Sequence, residues 1–177
     1  MIIALSGKAR SGKTTAAEAI ASMDARCKIV SFAAPLKRMV IEHFGLTEDQ
    51  IINGKDNVIT MSDGREMTVR QLMIEFGRLY RAIDKNYWIS KALKSAHPHL
   101  ASGGIVIIDD MRYRSEADML RSMGAKLVRI ERPGVKLIDD PSETELDSYP
   151  FTTRANNTGD LSEYMQVAML LGRNLLR

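Results

Sequence analysis

Nine residues near the start of the chain, Gly7-Lys8-Ala9-Arg10-Ser11-Gly12-Lys13-Thr14-Thr15, constrain its fold more than any other feature. They read G-x-x-x-x-G-K-T. An apolar run, Ile2-Ile3-Ala4-Leu5, precedes them, and a helix-forming stretch over 15–23 follows. Strand, glycine-rich loop and helix in that order define a P-loop. The glycines let the backbone turn tightly around an anion, and the loop N–H groups and the helix N-terminus point at it. The expected phosphate-binding set is therefore Gly7, Ala9, Arg10, Ser11, Gly12, Lys13, Thr14 and Thr15. Lys13 is expected to reach the β- and γ-phosphates of a nucleotide, and the Thr14 hydroxyl to ligate Mg²⁺. An ordinary Gly/Ser loop is the bland alternative, and the flanking strand and helix argue against it.

The chain has 177 residues, enough for one domain with a full core. Its single cysteine, Cys27, excludes an internal disulfide and fits a reducing, cytoplasmic compartment. His43, His97 and His99 lack the spacing of a zinc site and read as surface residues. No apolar run approaches the length of a membrane span, and no signal segment is expected ahead of the first strand. The net charge of +3 is mildly basic. The basic residues are dispersed rather than blocked, which favours phosphate handling in a pocket over a nucleic-acid surface.

Strand-like runs over 2–5, 28–32, 104–109 and 126–131 alternate with helix-period segments over 15–23, 35–44, 68–83, 85–96, 115–123 and 161–176. That rhythm predicts an α/β fold with a mostly parallel sheet covered by helices on both faces. The expected class is a P-loop NTPase fold with five strands, read as a single domain over 1–177. Two stretches depart from the rhythm. Residues 45–67 are polar, and Asp63-Gly64 predicts a hairpin. Residues 132–159 carry Pro133-Gly134, Asp139-Asp140-Pro141 and several carboxylates. Both read as insertions at the mouth of the sheet: an acceptor-binding insertion over 45–100 and a lid-like region over 132–159.

On the helix predicted over 68–83, Arg70, Gly77 and Arg81 share one narrow stripe, with Arg78 beside them. The stripe lacks the (i, i+4) carboxylates that would neutralise it. Arginine grips a dianionic phosphate bidentately, so this face suits a phosphate ligand. A solvated basic face is the alternative. The strand over 104–109 ends in Asp109-Asp110-Met111-Arg112. Apolar residues followed by Asp form a Walker-B pattern, so Asp109 or Asp110 is expected to organise Mg²⁺; a capping or turn Asp is the alternative. Arg112 and Arg114 follow at once, where a transferring phosphoryl group would sit.

The P-loop, Ser31-Phe32-Ala33-Ala34-Pro35-Leu36-Lys37, the series Arg70…Gly77…Arg81…Trp88, the run Ile108-Asp109-Asp110-Met111-Arg112-Tyr113…Glu116, Glu131-Arg132-Pro133 and Asn157-Thr158-Gly159-Asp160-Leu161 occur in this order. Together they resemble the deoxynucleoside monophosphate kinases of bacteriophages, in the nucleoside monophosphate kinase branch of P-loop proteins. Ala34, Thr14 and Ser115 depart from that family's pattern and bear on substrate preference. The resemblance implies ATP and Mg²⁺ as cofactors, catalysis by Lys13, Arg112 and Asp110, and transfer of the γ-phosphoryl group to a deoxynucleoside monophosphate. The acceptor would be held by Arg70, Arg78 and Arg81, with Phe32, Lys37 and Trp88 around its base and sugar and Asp110 and Glu116 also at the substrate. Arg132 resembles the residue that stacks on the ATP adenine; a generic strand-end Arg is its alternative. The resemblance also suggests a homodimer, with no nucleic-acid or membrane partner, and the host cytoplasm if the chain is phage-encoded. Another small-molecule P-loop kinase, resembling dephospho-coenzyme A kinase, and a DNA-associated P-loop ATPase are the competing readings.

Overall fold

Strand β1 (Ile2–Ser6) is buried along its whole length. Continuous burial without polar alternation is the mark of a parallel strand covered on both faces. The computed structural model describes residues 1–135 and 140–177. In chain order, β1 is followed by α1 (Lys13–Ala21), β2 (Cys27–Val30), α2 (Ala33–Phe44), α3 (Glu48–Ile52), β3 (Val58–Thr60), β4 (Glu66–Thr68), α4 (Val69–Ile83) and α5 (Tyr87–Ala101). Then come β5 (Ile105–Met111), α6 (Arg114–Ser122), β6 (Lys126–Glu131), a single 3-10 turn (Pro141–Glu143), β7 (Thr153–Asn156) and α7 (Leu161–Leu175). The main sheet has the order β2-β5-β1-β6-β7, and every pairing in it is parallel. Helices cover both faces, which is the P-loop type of fold.

The described residues form two compact units, one of Met1–Ser31 with Leu93–Arg177 and one of Phe32–Ala92. In the first, the alternating side chains of Ile3, Leu5, Ile105, Ile107, Val128 and Ile130 meet Ala16, Ile20, Tyr164, Ala168 and Leu171 from α1 and α7. The intervening residues Ile2, Ala4, Val106, Ile108 and Leu127 are buried on the opposite face. α7 opens with a reciprocal capping box in which Asp160 accepts from the Glu163 amide and Glu163 from the Asp160 amide.

The second unit packs around Leu36, Val40, Ile51, Val69, Leu72 and Trp88. The expected hairpin is present as antiparallel β3 and β4, and Thr68 with Gln71 caps α4 in the same reciprocal way. The unit runs from Phe32 to Ala92, with α2 packed against α3 and α4.

The region expected as a lid over 132–159 contains β7, the fifth strand, and its residues 136–139, Asp139 among them, lie outside the described residues. Thr153-Arg154-Ala155-Asn156 carries no apolar run. Its pairing is set by β6, with Val128 opposite Thr153 and Glu131 opposite Asn156. His43 and His97 are exposed, whereas His99 is half-buried with Nε2 2.7 Å from the Arg26 carbonyl oxygen. Among the described residues, no helix is long and apolar enough to cross a membrane.

Ile107 is fully buried and Leu170 is 60% exposed, so the two positions separate core from surface. Ile107→Ala is expected to cost about 2–5 kcal/mol. Leu170→Ala is expected to stay within about 0.5 kcal/mol. Urea unfolding followed by circular dichroism checks both.

Candidate active site

The loop after β1 is shaped by what cannot fit. Gly7 has φ 155° and Gly12 φ 99°. A Cβ on Gly7 would lie 2.5 Å from the Ile130 carbonyl oxygen, and one on Gly12 would lie 2.6 Å from Asn157 Nδ2 and 2.7 Å from Tyr164 Cε1. Conformation and space both demand glycine there. Arg10 is also left-handed, at φ 61°. That strain in a non-glycine residue is the kind functional loops hold. Two side chains fasten the loop from behind: Asn157 Nδ2 donates to the Ser11 carbonyl at 3.0 Å, and the Tyr164 hydroxyl donates to the Gly12 carbonyl at 2.9 Å. Burial pushes the Tyr164 hydroxyl up to about 12, so it stays a donor. Helix α1 begins at Lys13 with no side-chain cap and no acidic residue in its first turn. Its amide donors and positive dipole end suit an anion.

Lys13 is buried, and its ammonium donates to the Gly7 and Lys8 carbonyl oxygens, both at 2.8 Å. Its pKa is lowered to about 8, first by burial and then by the like charge of Arg112. Glu143, Asp110 and Asp109 pull in the other direction.

The two carboxylates at the end of β5 have different partners. The Thr14 hydroxyl donates to Asp109 Oδ2 at 3.0 Å, and the Ser31 hydroxyl donates to Asp110 Oδ2 at 2.5 Å. Asp109 Oδ1 is buried without a hydrogen-bond partner among the described residues. Burial and the neighbouring Asp110 charge raise the Asp109 pKa. An orphaned carboxylate oxygen beside a threonine hydroxyl is an oxygen donor set that fits a small hard cation. Among the described residues no group of three or more His, Cys, Asp or Glu side chains could hold a metal. Such a cation would therefore draw its remaining ligands from water and a nucleotide's phosphates.

Arg112 is half-buried and pairs with Glu143, whose second oxygen accepts the Ala9 amide at 2.8 Å. Glu116, expected at the substrate, is buried; its Oε2 accepts the Arg112 amide at 2.8 Å and the Tyr113 amide at 3.0 Å. That carboxylate fixes the backbone carrying Arg112 by capping α6. Arg114 is exposed; its amide donates to Glu145, and its guanidinium lies 5.6 Å from the Tyr149 ring centroid. Arg132 lines a cavity of about 560 Å³ together with Lys8, Glu131, Asn156 and Thr158, and its Nη1 lies 3.4 Å from the Arg10 carbonyl oxygen.

The other expected site residues belong to the Phe32–Ala92 unit. Arg70 is bound through Nε and Nη2 to Asp56 at 2.9 and 3.2 Å, and Arg78 pairs with Glu75 at 3.4 Å. The basic stripe therefore has carboxylate partners, from an upstream turn and at (i, i−3), where the (i, i+4) pattern gives none. A Cβ on Gly77 would lie 3.2 Å from Arg81 Nη1, so the glycine makes room for that guanidinium. Trp88 is buried, donates from Nε1 to the Gly77 carbonyl at 3.1 Å, and packs on Tyr80 and Tyr87. It supports the arginine helix from within the core. Phe32 is buried and Lys37 half-buried.

Glu143, Tyr164 and Ser31 have no assigned role on sequence grounds. Asn157 falls in the run Asn157-Thr158-Gly159-Asp160-Leu161, which marks its place but not its contact with the loop.

A family model described as phosphomevalonate kinase matches residues 5–126, more than half of the chain. The chain belongs to this family. It is a P-loop kinase and a phosphotransferase. A protein of Acanthamoeba polyphaga mimivirus, named as a candidate deoxynucleotide monophosphate kinase, is 30% identical over 167 residues, covering 84% of this chain and 83% of its own. The uncharacterized ORF76 of Ictalurid herpesvirus 1 (strain Auburn) is 24% identical over 169 residues, covering 92% of this chain and 63% of its own. The crystal structure of a candidate kinase from Chloroflexus aurantiacus J-10-fl shares the fold, with a TM-score of 0.55 at 17% identity over 99% of this chain and 94% of that one.

The lowered Lys13 pKa sets a pH dependence for this kinase. An amine shifted down to about 8 loses its charge as pH rises through that value. Because kcat/KM reports the free enzyme, kcat/KM for ATP should fall above about pH 8. Bound phosphates favour the ammonium, so kcat at saturating ATP should hold to higher pH. Initial rates between about pH 7 and about pH 10 check this, and a flat kcat/KM across that range contradicts it.

Proposed function

We propose that this kinase transfers the ATP γ-phosphoryl group to a deoxynucleoside 5′-monophosphate, giving the diphosphate and ADP. The carrying observation is the α4 face on which Arg70 and Arg81 flank Gly77, whose missing side chain admits the Arg81 guanidinium. Two planar, cationic forks on one helix suit the two charges of a phosphate monoester. The names of the matched family and of the mimivirus relative point the same way, since each kinase named takes an acceptor that already carries a phosphate. The finer choice of a nucleotide rests on the mimivirus relative and on the resemblance to phage enzymes.

In this reading ATP lies on the P-loop, its base in the cavity at Arg132, and Asp109 with Thr14 would hold Mg²⁺, which would supply charge neutralisation at the phosphates. The acceptor phosphate is already anionic and attacks the γ-phosphorus in line, so no general base is required. Lys13 and Arg112 stabilise charge on the transferring group, and Glu116 keeps Arg112 in place. The reading includes a cytoplasmic setting and nucleotides as the only partners the site needs.

The family description favours one other acceptor, phosphomevalonate, which offers the same dianion without a base. ADP production with the four deoxynucleoside monophosphates, phosphomevalonate and dephospho-coenzyme A separates the readings. Turnover with phosphomevalonate alone overturns the nucleotide assignment, and phosphate release without any acceptor, stimulated by DNA, favours an ATPase.

Arg70→Ala and Arg81→Ala should each raise the acceptor KM, or lower kcat/KM, by roughly ten- to a hundredfold. That follows from about 1.5–3 kcal/mol per charge-assisted contact and tenfold per about 1.4 kcal/mol. The ATP KM should barely move. A selective ATP defect instead would put α4 on the donor side.

Asp109→Asn should raise the Mg²⁺ concentration for half-maximal activity by roughly tenfold or more, as loss of a group at a metal site does. Asp110→Asn should raise it less, because Asp110 faces Ser31. Magnesium titrations of both variants check this, and the reverse order reassigns the metal to Asp110.

A further inference from the structure

Glu143 has no role in the mechanism just described, yet its carboxylate lies among the groups that mechanism uses. It is 3% exposed. One oxygen accepts the Ala9 amide of the P-loop at 2.8 Å, the other pairs with the Arg112 guanidinium, and its charge acts on Lys13. A backbone amide of the loop, an arginine and the P-loop lysine are the partners a terminal phosphate takes in phosphoryl transfer. Two oxygens of one buried carboxylate meet two of them and face the third's charge. Ala9 precedes the start of α1 by four residues, so its amide is not one of the helix-terminal donors.

The fold delivers this carboxylate. Asp140 caps the 3-10 turn by accepting the Ser142 amide at 2.9 Å, and Pro141 fixes the turn's first residue. Beyond the turn, Leu146 and Tyr149 are buried, and the Tyr149 hydroxyl donates to Asp118 at 2.7 Å. Asp147 pairs with Arg129, which is itself buried and donates to Ser6 Oγ at 3.1 Å. A segment tied down at so many points sets the place of Glu143 by design of the chain rather than by chance of a rotamer.

We propose that Ala9 N–H and Arg112 form the subsite of the transferring phosphoryl group, and that Glu143 is an internal carboxylate occupying it until the terminal phosphate of a nucleotide displaces it. This rests on the donor-site reading above. Glu143 then lowers the affinity for ligands that fill the subsite in proportion to the fraction of molecules in which it is seated. It leaves ligands that stop short of the subsite unaffected.

The test is calorimetric titration of ATP and of ADP, each with Mg²⁺, into the wild-type chain, Glu143→Gln, Glu143→Ala and Lys13→Ala, with thermal melts to confirm folding. Both Glu143 variants should bind ATP about tenfold tighter or more, and ADP within about twofold of wild type. Glu143→Ala removes both acceptor oxygens and carries the test if the glutamine variant does not fold. Unchanged or weaker ATP binding in the folded variants overturns the proposal, and a fall in kcat with it makes Glu143 a positioning residue for Arg112. Equal tightening of ATP and ADP also overturns it, since the effect is then not confined to the terminal phosphate. If Lys13→Ala loses ATP while the Glu143 variants match wild type, this inference alone fails. If the wild type binds neither nucleotide, the donor-site reading fails and this inference fails with it.

Discussion

Four carbonyl oxygens of the loop after β1 are taken by side chains of the same unit. Lys13 takes the Gly7 and Lys8 carbonyls, Asn157 takes that of Ser11, and Tyr164 takes that of Gly12. A buried backbone oxygen without a partner is costly, so a loop that turns this tightly needs those three side chains in place. Each arrives from a different part of the first unit: Lys13 from α1, Asn157 from just after β7, and Tyr164 from α7. The edge strand and the last helix thus matter to the loop as much as the glycines do. They close the space a Cβ on Gly12 would fill, and they occupy the Ser11 and Gly12 carbonyls.

Electrostatics follow from that backbone. Burial, and after it the like charge of Arg112 nearby, lowers the Lys13 pKa. Glu143, Asp110 and Asp109 offset this at Lys13. Uncompensated buried charge is expensive, so the carboxylates are the internal counterweight to the buried lysine. Their arrangement is asymmetric. Asp109 keeps an oxygen unbonded beside Thr14, whereas Glu143 has both oxygens occupied.

The parallel sheet was legible because its central strands are continuous apolar runs that only a doubly covered sheet accommodates. The P-loop was legible because its glycines are demanded by local backbone and occur at fixed spacing. β7 was not, since Thr153-Arg154-Ala155-Asn156 is an edge strand whose pairing is supplied by β6 and not by its own pattern. Glu143 was not, because it sits in irregular chain where no periodicity assigns a face, and its partners are about 30 and 134 residues away. Trp88 shows the opposite limit. Its place in the motif series is visible in sequence, but only packing reveals that its ring is internal and that its indole nitrogen holds α4 through Gly77.

The arginine stripe carries the same lesson in energetic terms. Read as spacing, it lacks the (i, i+4) acids; in the fold, Arg70 is bridged by Asp56 and Arg78 by Glu75. The question is whether such pairs disable the stripe for a phosphate. The side chains of Asp56 and Glu75 are 75% and 64% exposed. Exposed ion pairs contribute only about 0–1 kcal/mol, because water and salt screen them. A hydrogen bond to a charged group contributes about 1.5–3 kcal/mol, and a dianion can engage more than one arginine at once. Exposed carboxylate pairs of this kind are weak enough for a dianion to displace. As the structure stands, each pair fixes its guanidinium by contact with a carboxylate, Arg70 on Asp56 and Arg78 on Glu75, and ordering a side chain in advance lowers the cost of binding through it.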